Sequence, residues 1–357
     1  MPPLRSLGLR PLVFVFNNDR FRDCYGVVPW ASEPEVCYEG YPHVVVYLRP
    51  QKEGSAILDK LSSEMIGMGV YDSTGRLVLE EEAELRRAEA SWVPDALFSE
   101  IKVQEKLLDV DRVKIEVAGY EALVRPQPQV RVYGRVTDFD GNPREAYVEL
   151  VMPYGLPGGM AIAKTDEEGF YEMYAPAAVY HHAFVCDGGY GTETLEFYAW
   201  WVPVRPPGLQ LDARFDKVEV YRLSAMETPE RILVVEFVPM DIVHTSKRLE
   251  RAYREGGREA VSRIPLDELI PPLRERDLRV FLGGRELKVL ELSKRRYVSA
   301  VLIDRGMGES KPLTYVLEAQ IPRDMPPGVY DLRLEIDVEY GGVRERGESK
   351  LFGVRIW

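Results

Sequence analysis

The amino-acid sequence predicts an all-β protein of three β-sandwich-like domains in series, and three observations carry this. Apolar and charged residues alternate along several segments, turn-forming residues separate those segments, and two proline-rich stretches divide the chain. The clearest alternation is "GVYDLRLEIDVEYGG", where Tyr330, Leu332, Leu334, Ile336 and Val338 take one face and Asp331, Arg333, Glu335 and Asp337 the other. A two-residue period with one apolar and one charged face is a half-buried antiparallel strand. Gly341-Gly342 then offer a tight turn, and "KLFGVRIW" returns with Phe352, Val354 and Ile356 expected on one face.

The proline-rich stretches are "VRPQPQ" at 124–129 and "WVPVRPPGLQ" at 201–210. Proline removes backbone donors and holds the chain extended, so such segments serve as semi-rigid spacers. The expected domains are therefore 1–125, 126–206 and 207–357, a division that suits a chain of 357 residues. No period of roughly 20–50 residues repeats, which excludes a solenoid. The first domain reads as strands at "PLVFVF", "HVVVYLRP", "RLVLEEEAEL" and "DRVKIEVAGY". Short helices are expected in "SAILDKLSSEM" and "PDALFSEIKVQEKLL", the second with Pro94 suited to a first helical position. The last domain is expected to be Ig-like with a helical insertion at about 245–264.

In the middle domain, Val130, Val132, Gly134 and Val136 share one face of a strand, and Arg131, Tyr133 and Arg135 the other. "DFDGNP" makes a turn, "AYVELVM" a second strand, "TDEEG" a second turn and "FYEMYAP" a third strand. The pattern "VYGRVTDFDGNPREAYVEL", then "AKTDEEGFYEMYAP", then "YHHAFVCDGGY" resembles the carboxypeptidase regulatory-like domain, a prealbumin-like (transthyretin-like) sandwich, over about residues 129–204. Gly134 and Val136, Asp138 to Pro143, Ala146 and Val148, and Thr165 to Tyr171 fill the family's G-x-V, D-x-x-G-x-P, A-x-V and T-D-x-x-G-x-Y places. The insert "PYGLPGGM" departs from the shortest members. The resemblance implies a non-catalytic accessory role and an extracellular or cell-surface setting, and it transfers no catalytic residue. The flanking regions resemble no recognised family.

Composition bounds the rest. The net charge of −12 argues against a nucleic-acid backbone as main partner, because phosphates repel such a surface. The chain has 34 Arg against 12 Lys, with three Asn and six Gln, a balance that fits a thermophilic source. No apolar run approaches the roughly 18 residues that a membrane-spanning helix needs. The N-terminus carries Arg5 and Arg10, but its apolar run is short and lacks a small-residue cleavage site, so no signal peptide is visible. Of the three cysteines, Cys24 and Cys37 flank a Pro- and Gly-containing loop and could be bridged, while no spacing suits zinc.

Catalytic patterns are missing. The chain has no Gly-x-Ser-x-Gly elbow, no phosphate-cradling glycine loop and no His-Glu-x-x-His. The acidic turns fail as calcium loops: Pro143 follows Asp138-x-Asp140-Gly141, no acid stands at the twelfth position, and after Asp166 the glycine comes fourth. His181 and His182 are neighbours on an expected strand and should point to opposite faces. The sequence thus calls for no metal and no cofactor.

Two segments could bind something. In "LEFYAWWVPV", Tyr198 and Trp200 share one face and Phe197 and Trp201 the other, so Tyr198 and Trp200 are candidates for a sugar- or partner-stacking platform, against burial beside a neighbouring domain. In "TSKRLERAYREGGREAVSRI", Leu249, Ala252, Tyr253, Ala260, Val261 and Ile264 fall on one helical stripe, and Thr245 or Ser246 can cap it. Gly256-Gly257 should bend or break this helix at about 1 kcal/mol per residue relative to Ala. Lys247, Arg248, Arg251, Arg254 and Arg258 are candidates for docking an acidic partner or another copy of the chain, against a merely solvated helix face. The reading that follows is a non-catalytic structural or protein-interaction protein of cell-surface or particle-assembly type. The alternatives are a carbohydrate-binding accessory module and a hydrolase with an unrecognised site in the first domain.

Overall fold

The structure is a computed structural model that describes the chain except residues 27–34, 52–55, 88–94, 157 and 297–312. It is built almost wholly of strands. The first region contains β1 (Leu9–Gly26), β2 (Glu35–Pro50), helix α1 (Ala56–Leu61), β3 (Met65–Tyr71), β4 (Leu77–Glu84), β5 (Arg86–Arg87), β6 (Leu97–Lys102), β7 (Arg112–Val117) and β8 (Tyr120–Val124). Two four-stranded sheets, in the orders β1-β2-β6-β5 and β4-β3-β7-β8, face each other across a core of Val13, Val15, Val44, Val46, Ile66, Val70, Val113 and Ile115.

The helix expected in "PDALFSEIKVQEKLL" is corrected: Leu97–Lys102 is strand β6, with Leu97, Ser99 and Ile101 buried in alternation. Helix-forming residue types lost there to a two-residue burial period between two sheets. Pro94 lies outside the described residues.

The middle region contains β9 (Gln129–Thr137), β10 (Tyr147–Pro153), β11 (Met160–Lys164), β12 (Phe170–Pro176), β13 (Ala178–Cys186), β14 (Phe197–Val204), β15 (Leu209–Gln210) and β16 (Ala213–Arg214). β12, β9 and β15 form one layer, with β16 also on β9, and β11-β10-β13-β14 form the other. The second proline stretch is not a spacer that leaves this sandwich. The chain returns so that Leu209 and Ala213 pair in parallel with Val132 and Val136, and Leu211, Ala213 and Phe215 enter the middle core. Gly134 is required by this return, since a Cβ there would sit 2.2 Å from the Leu211 carbonyl oxygen.

The third region contains β17 (Val218–Glu227), β18 (Ile232–Asp241), a wide π-helical turn (Ile242–Ser246), helix α2 (Lys247–Ser262), β19 (Leu278–Leu282), β20 (Arg285–Arg296), β21 (Leu313–Gln320), β22 (Gly328–Tyr340) and β23 (Val343–Ile356). β20 pairs with β19 through Arg285–Leu287 and with β21 through Lys288–Arg296, so it passes from one layer to the other. β17 then lies over β23, where a Cβ on Gly347 would meet the Val218 carbonyl oxygen at 2.1 Å. The helical insertion falls between β18 and β19, where the periodicity places it.

Phe352 does not share a face with Val354 and Ile356. It packs on the middle core, while they enter the third core. Gly353, at φ +81°, and a register shift between Tyr330 and Leu332 reset the alternation at that point.

Candidate interaction surface

Two kinds of junction fix where the candidate residues point. Between the first and middle regions the contact is made by side chains. Phe14, Phe16, Val45 and Tyr47 leave the back of the β1–β2 pair and enter the middle core, which is why "PLVFVF" and "HVVVYL" are continuously apolar. Asn18, almost fully buried, clasps the outer edge of β11: its Nδ2 donates to the Met160 carbonyl at 2.9 Å and its Oδ1 accepts from the Ile162 amide at 3.0 Å. Tyr38 stacks on Tyr147 with centroids 4.4 Å apart, and the Tyr147 hydroxyl donates to Asp23, which also takes Lys164. Cys24 faces Cys37 across the β1–β2 ladder and the two are joined by a disulfide.

Between the middle and third regions a backbone ladder is added to side-chain contacts. β14 pairs in parallel with β23, Tyr198 to Ser349 and Trp200 to Leu351, so one eleven-stranded sheet runs through both regions. The Ser349 hydroxyl donates to the Tyr198 carbonyl at 2.8 Å. Arg346 grips both carboxylate oxygens of Asp140 at 2.9 and 3.0 Å, and Arg214 reaches Glu348 at 3.0 Å.

This geometry removes the aromatic platform. Tyr198 and Trp200 are 3% and 8% exposed and belong to the third core, so neither offers a ring to a ligand. Phe197 lies in the middle core on the other face, as alternation requires, but Trp201 does not join it: at φ +57° it turns out to solvent, 48% exposed. Val202 and Val204 take the middle-core side beyond it. Two further exposed aromatics of the middle region stand on β12, where Phe170 and Tyr174 alternate with buried Tyr171 and Met173.

The acidic turns are occupied by their own backbone. Asp138 accepts from the amides of Asp140 and Asn142 at 2.8 and 2.9 Å, and Asp166 from those of Glu168 and Phe170 at 3.1 and 2.7 Å. Burial works against the Asp138 charge, yet bonds from Asn142 and Asp140 hold its carboxyl below the ordinary value. His181 and His182, expected on opposite faces, instead bring their Nδ1 atoms to 2.9 Å with the rings edge to face. Among the described residues no group of three or more His, Cys, Asp or Glu is placed to hold a metal ion.

Several buried acids escape a reading of the sequence. Glu196 and Glu219 are buried where the middle and third regions meet, and Tyr198 and Tyr221 donate to Glu196 at 3.2 and 3.0 Å. Burial, then the neighbouring Glu196, pushes the Glu219 carboxyl well above its ordinary value. Glu149, partly buried on β10, is raised by burial to about 7. Glu345 is raised to about 7 by burial and then by Asp241, which itself accepts from the His244 ring at 2.9 Å. For Glu149 and Glu219 the signal is a charged residue inside an apolar strand, which alternation assigns to solvent, while Glu196 precedes β14 and Glu345 stands in a charged stretch of β23.

In the first region, a cleft of about 860 Å³ is lined by Tyr71, Asp72, Asp111, Arg112 and Lys114. Asp72 is committed to its own turn, accepting from the Thr74 hydroxyl at 2.6 Å and the Arg76 amide at 3.0 Å. Ser73 donates to Asp109 at 2.6 Å. Among the described residues no histidine lines this cleft, so a serine–histidine arrangement is not assembled from them there.

The helix is different. α2 carries Lys247, Arg248, Arg251, Arg254 and Arg258, all exposed, and none of its residues is buried. Leu249, Ala252, Tyr253, Ala260, Val261 and Ile264 remain only partly covered. Gly256 and Gly257 leave helical geometry, Gly257 at φ +61°, and so break the helix at the expected glycine pair. The cap is corrected. Asp241 accepts from the His244 amide at 2.6 Å and starts the π-helical turn, while Ser246 is already helical and Thr245 donates to the Leu269 carbonyl. Arg248 pairs with Glu268, Arg254 with Glu250 and Arg263 with Glu259, and along α2 five cations stand against three glutamates.

Fold and surface together define an all-β protein of packed sandwiches presenting one amphipathic helix. Neither a protein-family model nor a curated protein sequence matches the chain. Among solved structures, it is similar to BcpA, the major pilin subunit of Bacillus cereus, with a TM-score of 0.17, 11% identity, and coverage of 64% of this chain and 69% of that one. It is also similar to a Dpr2 Ig1-Ig2 complex with DIP-Theta Ig1-Ig3, with a TM-score of 0.15, 9% identity, and coverage of 87% and 93%. At these scores the matches carry no argument about function.

Proposed function

We propose that this is a non-catalytic structural or protein-interaction protein of cell-surface or particle-assembly type, with α2 as its docking element. The observation that carries the reading is the helix itself, sixteen residues broken at Gly256-Gly257, with partly covered apolar residues, a basic face and no buried residue. An amphipathic helix draws most of its stability from packing its apolar residues, so apolar residues left partly open favour a partner. The likeness of the middle region to carboxypeptidase regulatory-like domains and the division into three domains support the same reading, since both describe modules that support rather than react. Light scattering across concentration, with capture of binding proteins, tests it. Association that weakens in Leu249→Ser/Tyr253→Ser supports the reading; a strict monomer that captures no partner overturns it.

A second reading, glycan binding, is favoured by Phe170 and Tyr174, whose rings are 53% and 50% exposed on one face of β12 beside Glu172. Exposed rings flanked by polar groups suit the apolar face and hydroxyl edge of a sugar. A glycan array with Phe170→Ala/Tyr174→Ala decides it, and no signal for the unmodified chain rejects it.

A further inference from the structure

The first region carries a surface that complements α2 in apolarity and charge. β4 is the edge strand of its sheet, and Glu80, Glu81, Glu82 and Glu84 stand exposed along it. Charges on an edge strand commonly serve to prevent unwanted pairing. That role does not account for what lies beside them. Leu77 and Val78 at the start of β4 are 42% and 37% exposed, and with Leu79, Leu107, Leu108 and Val110 they line a groove of about 640 Å³. Leu108 is 78% exposed; Glu105 and Asp109 stand on the same groove with Arg76 and Lys106, which pair with Asp72 and Asp19.

Resting on the interaction reading above, we propose that α2 of one copy docks on the β4 groove of a second copy. The helix supplies Lys247, Arg248, Arg251, Arg254 and Arg258 against Glu250, Glu255 and Glu259, which is five minus three, or +2. The strand supplies four carboxylates and no cation between Leu77 and Glu84. The helix is broken at Gly256-Gly257, and its first segment, residues 247–255, spans about 14 Å at about 1.5 Å per residue, which fits within the span of about 26 Å of eight strand residues at about 3.3 Å. The stripe of Leu249 and Tyr253 meets the leucines of the groove while the basic face meets the glutamate row, a helix-in-groove contact with electrostatic guidance. Among the described residues the first and third cores share none, and each is joined to the middle one. The helix and the groove therefore belong to different regions of the chain. A contact between unlike patches is heterologous, so repetition gives a ring or an open array rather than a closed two-fold dimer.

A charge swap on the full-length chain tests this. The helix variant is Arg251→Glu/Arg254→Glu/Arg258→Glu and the strand variant is Glu80→Lys/Glu81→Lys/Glu82→Lys, all at exposed positions, with circular dichroism confirming the fold. Light scattering should show mass rising with concentration for the unmodified chain and falling with added salt. Each variant alone should associate at least tenfold more weakly. An equimolar mixture should recover association, because each reversed helix then meets a reversed strand. Unmodified protein that associates regardless of either reversal overturns this surface and leaves the interaction reading standing. Unmodified protein that stays monomeric at every concentration overturns self-docking, and capture of a different partner then decides the interaction reading. Loss in both variants without recovery in the mixture also overturns the pairing.

Discussion

The two junctions join the same kinds of sandwich by different physics. The first region meets the middle through side chains, Phe14, Phe16 and Tyr47 in a shared core and Asn18 bonded to a strand edge. The middle meets the third through side chains as well, Tyr198 and Trp200 in the third core, but adds a backbone ladder, β14 to β23, reinforced by Ser349. A side-chain junction rests on shape and fails in proportion to the volume removed. A ladder junction rests on peptide groups that most substitutions leave intact. Proline marks the approach to both, yet neither proline stretch ends as a free spacer, since the second delivers β15 and β16 back to β9.

Substitutions sharpen this contrast. The largest effect is expected from Phe16→Ala, which empties part of the shared core: a loss of about 3–5 kcal/mol in urea unfolding. The next concerns pH. A carboxyl whose folded pKa is raised, as Glu149 is to about 7, favours folding fully only below its ordinary value near 4.5, and that contribution is lost as pH rises toward 7. Glu149→Gln should therefore gain about 2–3 kcal/mol relative to the unmodified chain between pH 5 and pH 8. Asp23 and Asp138, held below their ordinary value, act oppositely and lose their contribution below about pH 4. Stability should thus peak near pH 5, and a plateau from pH 5 to 8 in thermal unfolding would contradict the buried-acid account.

Asn18→Ala should cost about 2 kcal/mol, because the Ile162 amide and the Met160 carbonyl lose their partner at a buried edge. Ser349→Ala should cost only about 1 kcal/mol, because the β14–β23 ladder remains after the hydroxyl is gone. If Ser349→Ala proves as damaging as Phe16→Ala, the distinction between the junctions fails.

Local patterns are readable in the residues. The alternation of 330–338, the turns at Asp138 and Asp166 and the broken helix around Gly256-Gly257 each depend on neighbours in sequence, and each is present. Effects set by distant chain are not readable. β6 has the residues of a helix because its burial comes from pairing with β2, and Trp201 and Phe352 leave their expected faces at single backbone irregularities. Tyr198 and Trp200 suggest an open platform because nothing local announces that β23, some 150 residues later, pairs beside them and that Tyr221 and the third core cover their rings. Glu196 and Glu219 escape for a similar reason, their burial being a product of two regions meeting.

The central claim is that a continuous β body holds α2 away from its own cores and leaves it for a partner. Hydrogen exchange followed by mass spectrometry tests this most directly. Segments 198–204 and 349–354 should exchange slowly at every protein concentration. Segment 247–262 should exchange rapidly in dilute solution and slow as concentration rises. A helix already protected at the lowest concentration, or rapid exchange along 198–204, would contradict the account.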